Sequence, residues 1–124
     1  MALGKLGQIH LTVTDLDRSV AFYRDVLGIP LMFVVPGQPM AFFISGDVRL
    51  YLGKSESPEF VTQSMLYFWV EDIDAEFKRI SAAGVEMADV PHVVHRDHTI
   101  ELWMSAFLDP DGHHLVLMQE RPLP

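Results

Sequence analysis

The side chains able to do chemistry are few, and most of them fall in short alternating segments. His10 and His114 carry imidazoles that can bind a metal ion or act as a general base near neutral pH. They serve equally well as wall residues held by hydrogen bonds. Glu101 is a carboxylate open to acid–base work, metal ligation or pairing with a cation, and otherwise a rim charge. Arg49 can grip a carboxylate through two hydrogen bonds, or stand as a solvated edge charge. Trp69 and Trp103 can stack on a flat ligand or fill a core. His92, His95 and His98 recur every third residue. Pro91 and the Val93-Val94 pair predict extended or loop chain there, where such residues diverge and do not close on a metal. His113 and His114, adjacent on a strand, point to opposite faces. No phosphate loop, nucleophile elbow or zinc-binding helix motif is present.

What positions these residues is an internal repeat. Residues 8–17, QIHLTVTDLD, align without a gap on residues 65–74, MLYFWVEDID. Each stretch is an alternating strand that ends in Asp-aliphatic-Asp. Leu16, Val20 and Tyr23, and likewise Ile73, Phe77 and Ile80, follow at helical spacing. Thr14 and Glu71 lie near the helix starts, and Asp15, Asp17, Asp72 and Asp74 supply the negative charge that helix N-termini favour. Gly28 and Gly84 fall where the helices should stop. Strands are expected near 30–35, 40–45 and 47–53, and again near 85–90, 100–108 and 113–119. Asp109-Pro110-Asp111-Gly112 marks the last turn. The expected organisation is one α+β domain of two βαβββ modules, about 1–53 and 64–124, joined by a linker of about 54–63.

Strand alternation then separates two faces. Ile9, Leu11, Val13, Val48, Leu50, Leu52, Leu66, Phe68, Val70, Leu115 and Leu117 should pack beneath helices near 16–27 and 73–83. The other parity holds Gln8, His10, Thr12, Arg49, Tyr51, Met65, Tyr67, Trp69, His114, Val116 and Met118, a mixture suited to a small-molecule cleft. Glu101 and Trp103 are expected to join it. The bland alternative is a face that meets solvent or a second copy.

Composition narrows the function classes. The chain has 124 residues, is 49% hydrophobic and carries a formal charge of -8, so it can build a core but offers no basic face for nucleic acid. With no cysteine, disulfides and thiol chemistry are excluded. No apolar run reaches the roughly 18 residues of a membrane span, and Met1–Lys5 lacks a signal peptide's apolar stretch. A cytoplasmic location is therefore expected.

The repeat, the DLDRSVAFYRDVLGI run at 15–29 and the FLDPDG turn at 107–112 together resemble the vicinal oxygen chelate superfamily, which holds glyoxalases, bleomycin-resistance proteins and extradiol dioxygenases. The likeness covers nearly the whole chain. It implies that the two modules curl mixed sheets into a cleft. It also implies that metal-dependent members place ligands at the positions here occupied by Gln8, Tyr51, Met65 and Val116. Family ligands are usually His, Glu or Gln, which Gln8 alone fits, so no metal is expected at these four together, and no cofactor. Any divalent ion would have to recruit His10, His114 or Glu101. Two readings follow. One is a metal-independent protein that binds a small aromatic or cationic molecule. The other is a lyase or dioxygenase with a displaced metal site. A homodimer is expected, because relatives of this size pair and so aromatic a face is costly to leave wet.

Overall fold

The computed structural model describes residues 2–55 and 57–124; Met1 and Glu56, the latter in the expected linker, lie outside them. The chain divides into two compact units that meet in sequence at Gln63 and Ser64. The first contains β1 (Gln8–Thr12), α1 (Leu16–Ala21, widening into a π turn over Phe22–Val26), β2 (Leu31–Val34), β3 (Met40–Ser45) and β4 (Val48–Gly53). A short 3-10 turn, Pro58–Phe60, precedes the second unit. That unit repeats the order with β5 (Met65–Trp69), α2 (Ile73–Ala82), β6 (His92–Arg96), β7 (Ile100–Leu108) and β8 (His114–Pro122). The fold is α+β, two βαβββ modules that each form a four-stranded mixed sheet, with strand orders β1-β4-β3-β2 and β5-β8-β7-β6. In each sheet the first and last strands of the module pair in parallel and the remaining pairs are antiparallel.

The repeat is accurate at the level of single rungs. Gln8 faces Arg49 across β1 and β4 as Met65 faces His114 across β5 and β8. Asp15 caps α1 by accepting from the Arg18 N–H at 3.1 Å, and Asp72 caps α2 by accepting from the Ala75 N–H at the same distance. Both helical segments are followed by a glycine at positive φ, Gly28 at 74° and Gly84 at 85°, where a side chain would be strained. At the β7–β8 turn one oxygen of the buried Asp109 accepts from the N–H groups of Asp111 and His113.

On the helix side Leu11, Val20, Tyr23, Phe43, Leu50 and Leu52 form one core, and Ile73, Ile80, Phe107, Leu115 and Leu117 form the other. Ile9, Val48, Leu66, Phe68 and Val70 were expected in these cores but are half-buried. β1 and β5 are outer strands of their sheets, so Ile9 and Phe68 have neighbouring strands on one side alone.

The strand expected near 85–90 is also corrected. Within that segment the only bridge is Met87 to Phe107, and the strand itself runs over His92–Arg96. The Asp89 carboxylate takes the Ala106 N–H at 2.7 Å, where a strand would present its own backbone carbonyl. Pro91, next in line, has no N–H to offer a ladder.

Candidate functional site

On the face of the first sheet away from α1, four rings line up as one rung, each from a different strand. His10 (β1) stands opposite Tyr51 (β4), Tyr51 opposite Phe42 (β3), and Phe42 opposite Phe33 (β2). Neighbouring strands lie about 4.8 Å apart, so rings in register must stack. The centroid separations are 4.5, 4.9 and 5.0 Å, with interplanar angles of 28°, 14° and 33°. A shift of one residue between Leu31 and Phe33 brings Phe33 into line. Phe33 remains 46% exposed, so the rung is open to a ligand at that end.

Gly53 makes room for the rung. A Cβ there would lie 2.7–2.9 Å from the Tyr51 ring, closer than any carbon tolerates. The His10 Nε2 lies 3.2 Å from the Gly53 carbonyl oxygen, which holds the imidazole against the sheet. The Arg49 guanidinium carbon sits 5.3 Å above the Phe42 ring, in cation–π range. Gln8, His10, Arg49 and Tyr51, all expected on this face, are found on it. Phe42 and Phe33 are new to the site.

The corresponding face of the second sheet carries Met65, Tyr67 and Trp69 from β5, with His114, Val116 and Met118 from β8 beside them. The rung equivalent to Tyr51–Phe42 is Val116–Ala106, and Val116 is only 4% exposed. Trp69 is 65% exposed. His92 and His95 share this face, because the register shift between Val93 and His95 sets them opposite Met104 and Leu102.

Glu101 and Trp103 do not belong to this face, which corrects the expectation from sequence. They pair with Arg121 and Gln119, in the parity that contains Leu115 and Leu117. Gln119 ties that side to the start of α2, accepting from the Ile73 N–H and donating to the Glu71 carbonyl. Glu101 is 6% exposed, ion-paired with Arg96 and within reach of the Trp103 indole N–H. Arg121 covers the Trp103 ring at 4.8 Å and bridges to Asp74 on α2 at 2.9 Å. These groups fasten the helix to the sheet, and Glu101 has no open side for substrate chemistry.

The superfamily resemblance marks Gln8, Tyr51, Met65 and Val116 as the positions at which metal-dependent members would place their ligands. Val116 has no donor atom, Met65 offers a thioether suited to soft ions, and Tyr51 would need to lose a proton from a phenol of pKa about 10. A catalytic ion needs at least about three good protein ligands, so these residues do not fit a hard divalent metal. Among the described residues no group of three or more His, Asp or Glu side chains converges elsewhere.

The family model of the glyoxalase/bleomycin resistance protein/dioxygenase superfamily matches residues 5–117, and the chain belongs to that superfamily. The uncharacterised protein YraH of Bacillus subtilis (strain 168) is 30% identical over 125 residues, covering 90% of this chain and 94% of its own. The glutathione transferase FosA of Serratia marcescens is 29% identical over 122 residues, covering 93% of this chain and 80% of its own. Among solved structures, TnmS3, an antibiotic-binding protein from Streptomyces sp. CB03234, superposes with a TM-score of 0.78 at 22% identity over 98% of this chain and 99% of its own. Among the described residues no helix is long and apolar enough to cross a membrane.

Proposed function

We propose that the protein binds a small, flat aromatic molecule against the His10–Tyr51–Phe42–Phe33 rung, without a metal ion. The observation that carries this is the rung itself: four aromatic rings in line across the sheet, three stacked and Phe33 tilted against the last, with Phe33 exposed at the end. Aromatic pairs favour offset-stacked or edge-to-face packing at about this spacing, and each such pair contributes on the order of 0.5–1.5 kcal/mol beyond burial. The donor set at the superfamily's metal positions supports a binding role over metal-dependent lyase or dioxygenase chemistry. That TnmS3 is an antibiotic-binding protein is in keeping with this reading. Of the two ligand types that the sequence allows, aromatic and cationic, the rung supports the aromatic one.

The test has two arms, both on protein stripped of metal with a chelator. Calorimetry with naphthalene-2-carboxamide should show saturable binding that Tyr51→Ala weakens by up to about tenfold. Titration with zinc, nickel, manganese or iron should show no submicromolar site. Tight metal binding that is lost in a His10→Ala, His114→Ala double variant would instead establish the displaced-site enzyme. Tight binding that survives the double variant would return the ion to the superfamily positions.

We further propose a homodimer. Met65, Tyr67 and Trp69 lie exposed along β5, an outer strand, and an apolar row of that kind is normally covered. A monomeric mass by light scattering at micromolar concentration contradicts it.

A further inference from the structure

The face that carries the aromatic rung has an unusual charge balance for this chain. There are 17 acidic residues in the sequence. On β1, β3 and β4 the residues that share this face are Gln8, His10, Thr12, Met40, Phe42, Ile44, Arg49, Tyr51 and Gly53. None is acidic. Arg49 is the one fixed charge among them, and it is exposed.

Its situation differs from that of the other arginines. Arg24 meets Asp25, Arg79 meets Glu76, Arg96 meets Glu101 and Arg121 meets Asp74. Arg18 donates to the Thr14 hydroxyl. The Arg49 guanidinium meets no carboxylate among the described residues, and its recorded contact is the Phe42 ring. A cation–π contact uses none of the guanidinium's five N–H donors as a salt bridge does, so they can still bind two oxygens side by side. The net charge of -8 opposes anions at long range, but salt screens that field beyond about 10 Å at 0.1 M, so the local cation decides.

We infer that the ligand of this face is an aromatic acid: a flat ring system lying on the rung, with a carboxylate or similar oxyanion gripped by Arg49. This rests on the proposal that the rung is the binding surface. Arg49 is then the residue that sets specificity, and the rings supply affinity common to all flat ligands. The two contributions separate in one experiment.

Naphthalene-2-carboxylate, naphthalene-2-carboxamide and 2-naphthylmethylammonium share a ring system and differ in charge. Measured by calorimetry at pH 7 and about 0.1 M salt, the carboxylate should bind about tenfold more tightly than the carboxamide, as a charge-assisted bidentate pair predicts. The ammonium should bind most weakly. Arg49→Gln should bring the carboxylate to the level of the carboxamide. Raising the salt should shrink the carboxylate's advantage. Equal binding of carboxylate and carboxamide, tightest binding of the ammonium, or a preference that survives Arg49→Gln each overturns the inference while the rung stands. If none of the three binds, the rung reading itself fails, and the inference with it.

Discussion

The two halves of the chain share a frame and differ in what they present on it. On the helix side the rungs match residue for residue. Phe43 opposite Leu50 in the first unit corresponds to Phe107 opposite Leu115 in the second, and all four are buried. On the other side the same alignment sets Tyr51 and Phe42 against Val116 and Ala106, so an aromatic rung in one unit is an aliphatic one in its copy. The helix side is constrained by packing, where even a methylene is felt. The opposite side is free to diverge, and the proposed ligand face lies there. The first unit's open face is aromatic with one cation; the second unit's holds His114, Met118 and the exposed Trp69.

If the helix-side cores are equivalent, Phe43→Ala and Phe107→Ala should each destabilise the protein by about 3–5 kcal/mol, the usual cost of emptying a phenylalanine site in a core. Denaturant unfolding measures both. A small loss at either position breaks the symmetry on which the comparison rests.

The opposite faces should respond unequally. Tyr51→Ala removes the ring that touches both His10 and Phe42. It should weaken binding of a flat aromatic by up to about tenfold, since the ligand loses a ring contact of roughly 0.5–1.5 kcal/mol. Val116→Ala, at the equivalent place in the second unit, should leave that affinity unchanged. Equal losses would mean that the ligand does not distinguish the two faces.

Gly53→Ala sharpens the same point with a smaller effect. The added methyl displaces the Tyr51 ring, so affinity should fall about threefold, with about 1 kcal/mol lost in stability from local overpacking. Gly53 corresponds to Met118 in the second unit, where the neighbour two residues earlier is Val116 rather than a tyrosine. A variant with full affinity and an unmoved Tyr51 contradicts this.

The hairpin turns differ as well. In the second unit Asp97 accepts from the N–H groups of Thr99 and Ile100 and from the Thr99 hydroxyl. The backbone hydrogen bond from Thr99 first, then that from Ile100, holds its pKa down to about 2. An unfolded aspartate titrates near 3.9. Its contribution is therefore complete above about pH 4 and is lost as pH falls toward 2. The corresponding turn of the first unit uses Gly37 at a φ of 73° and has no such group. Amide exchange at Ile100 should quicken in acid before exchange at Met40, and Asp97→Asn should flatten that dependence.

Much of this frame was legible in the sequence. The gapless repeat located both helices, and Gly28 and Gly84 marked their ends. The alternation of β1, β4, β5 and β8 sorted Gln8, His10, Arg49 and Tyr51 onto one side. β3 was harder, because Ala41, Phe42, Phe43 and Ile44 are apolar in both parities and show no face. The signal that would have recovered Phe42 is the two-residue Gly46-Asp47 turn. It pairs Ser45 with Val48, and counting back from there pairs Phe42 with Tyr51. Glu101 and Trp103 were misplaced for a related reason. Their face depends on whether the β7–β8 loop has an odd or an even number of residues. The loop has five, from Asp109 to His113, so odd-numbered residues pair with odd ones and both fall in with Leu115 and Leu117. A loop one residue shorter would have turned them to the other side.

The central claim is that the first unit's aromatic face, and not its counterpart, receives the ligand without a metal. Backbone amide shifts of chelator-treated protein, followed by NMR during titration with naphthalene-2-carboxylate, test it directly. The account predicts shifts concentrated at Gln8–Thr12, Met40–Ser45 and Val48–Gly53, with Met65–Trp69 and His114–Pro122 unmoved. Shifts confined to the second unit's strands, or appearing only after a divalent ion is restored, would contradict it.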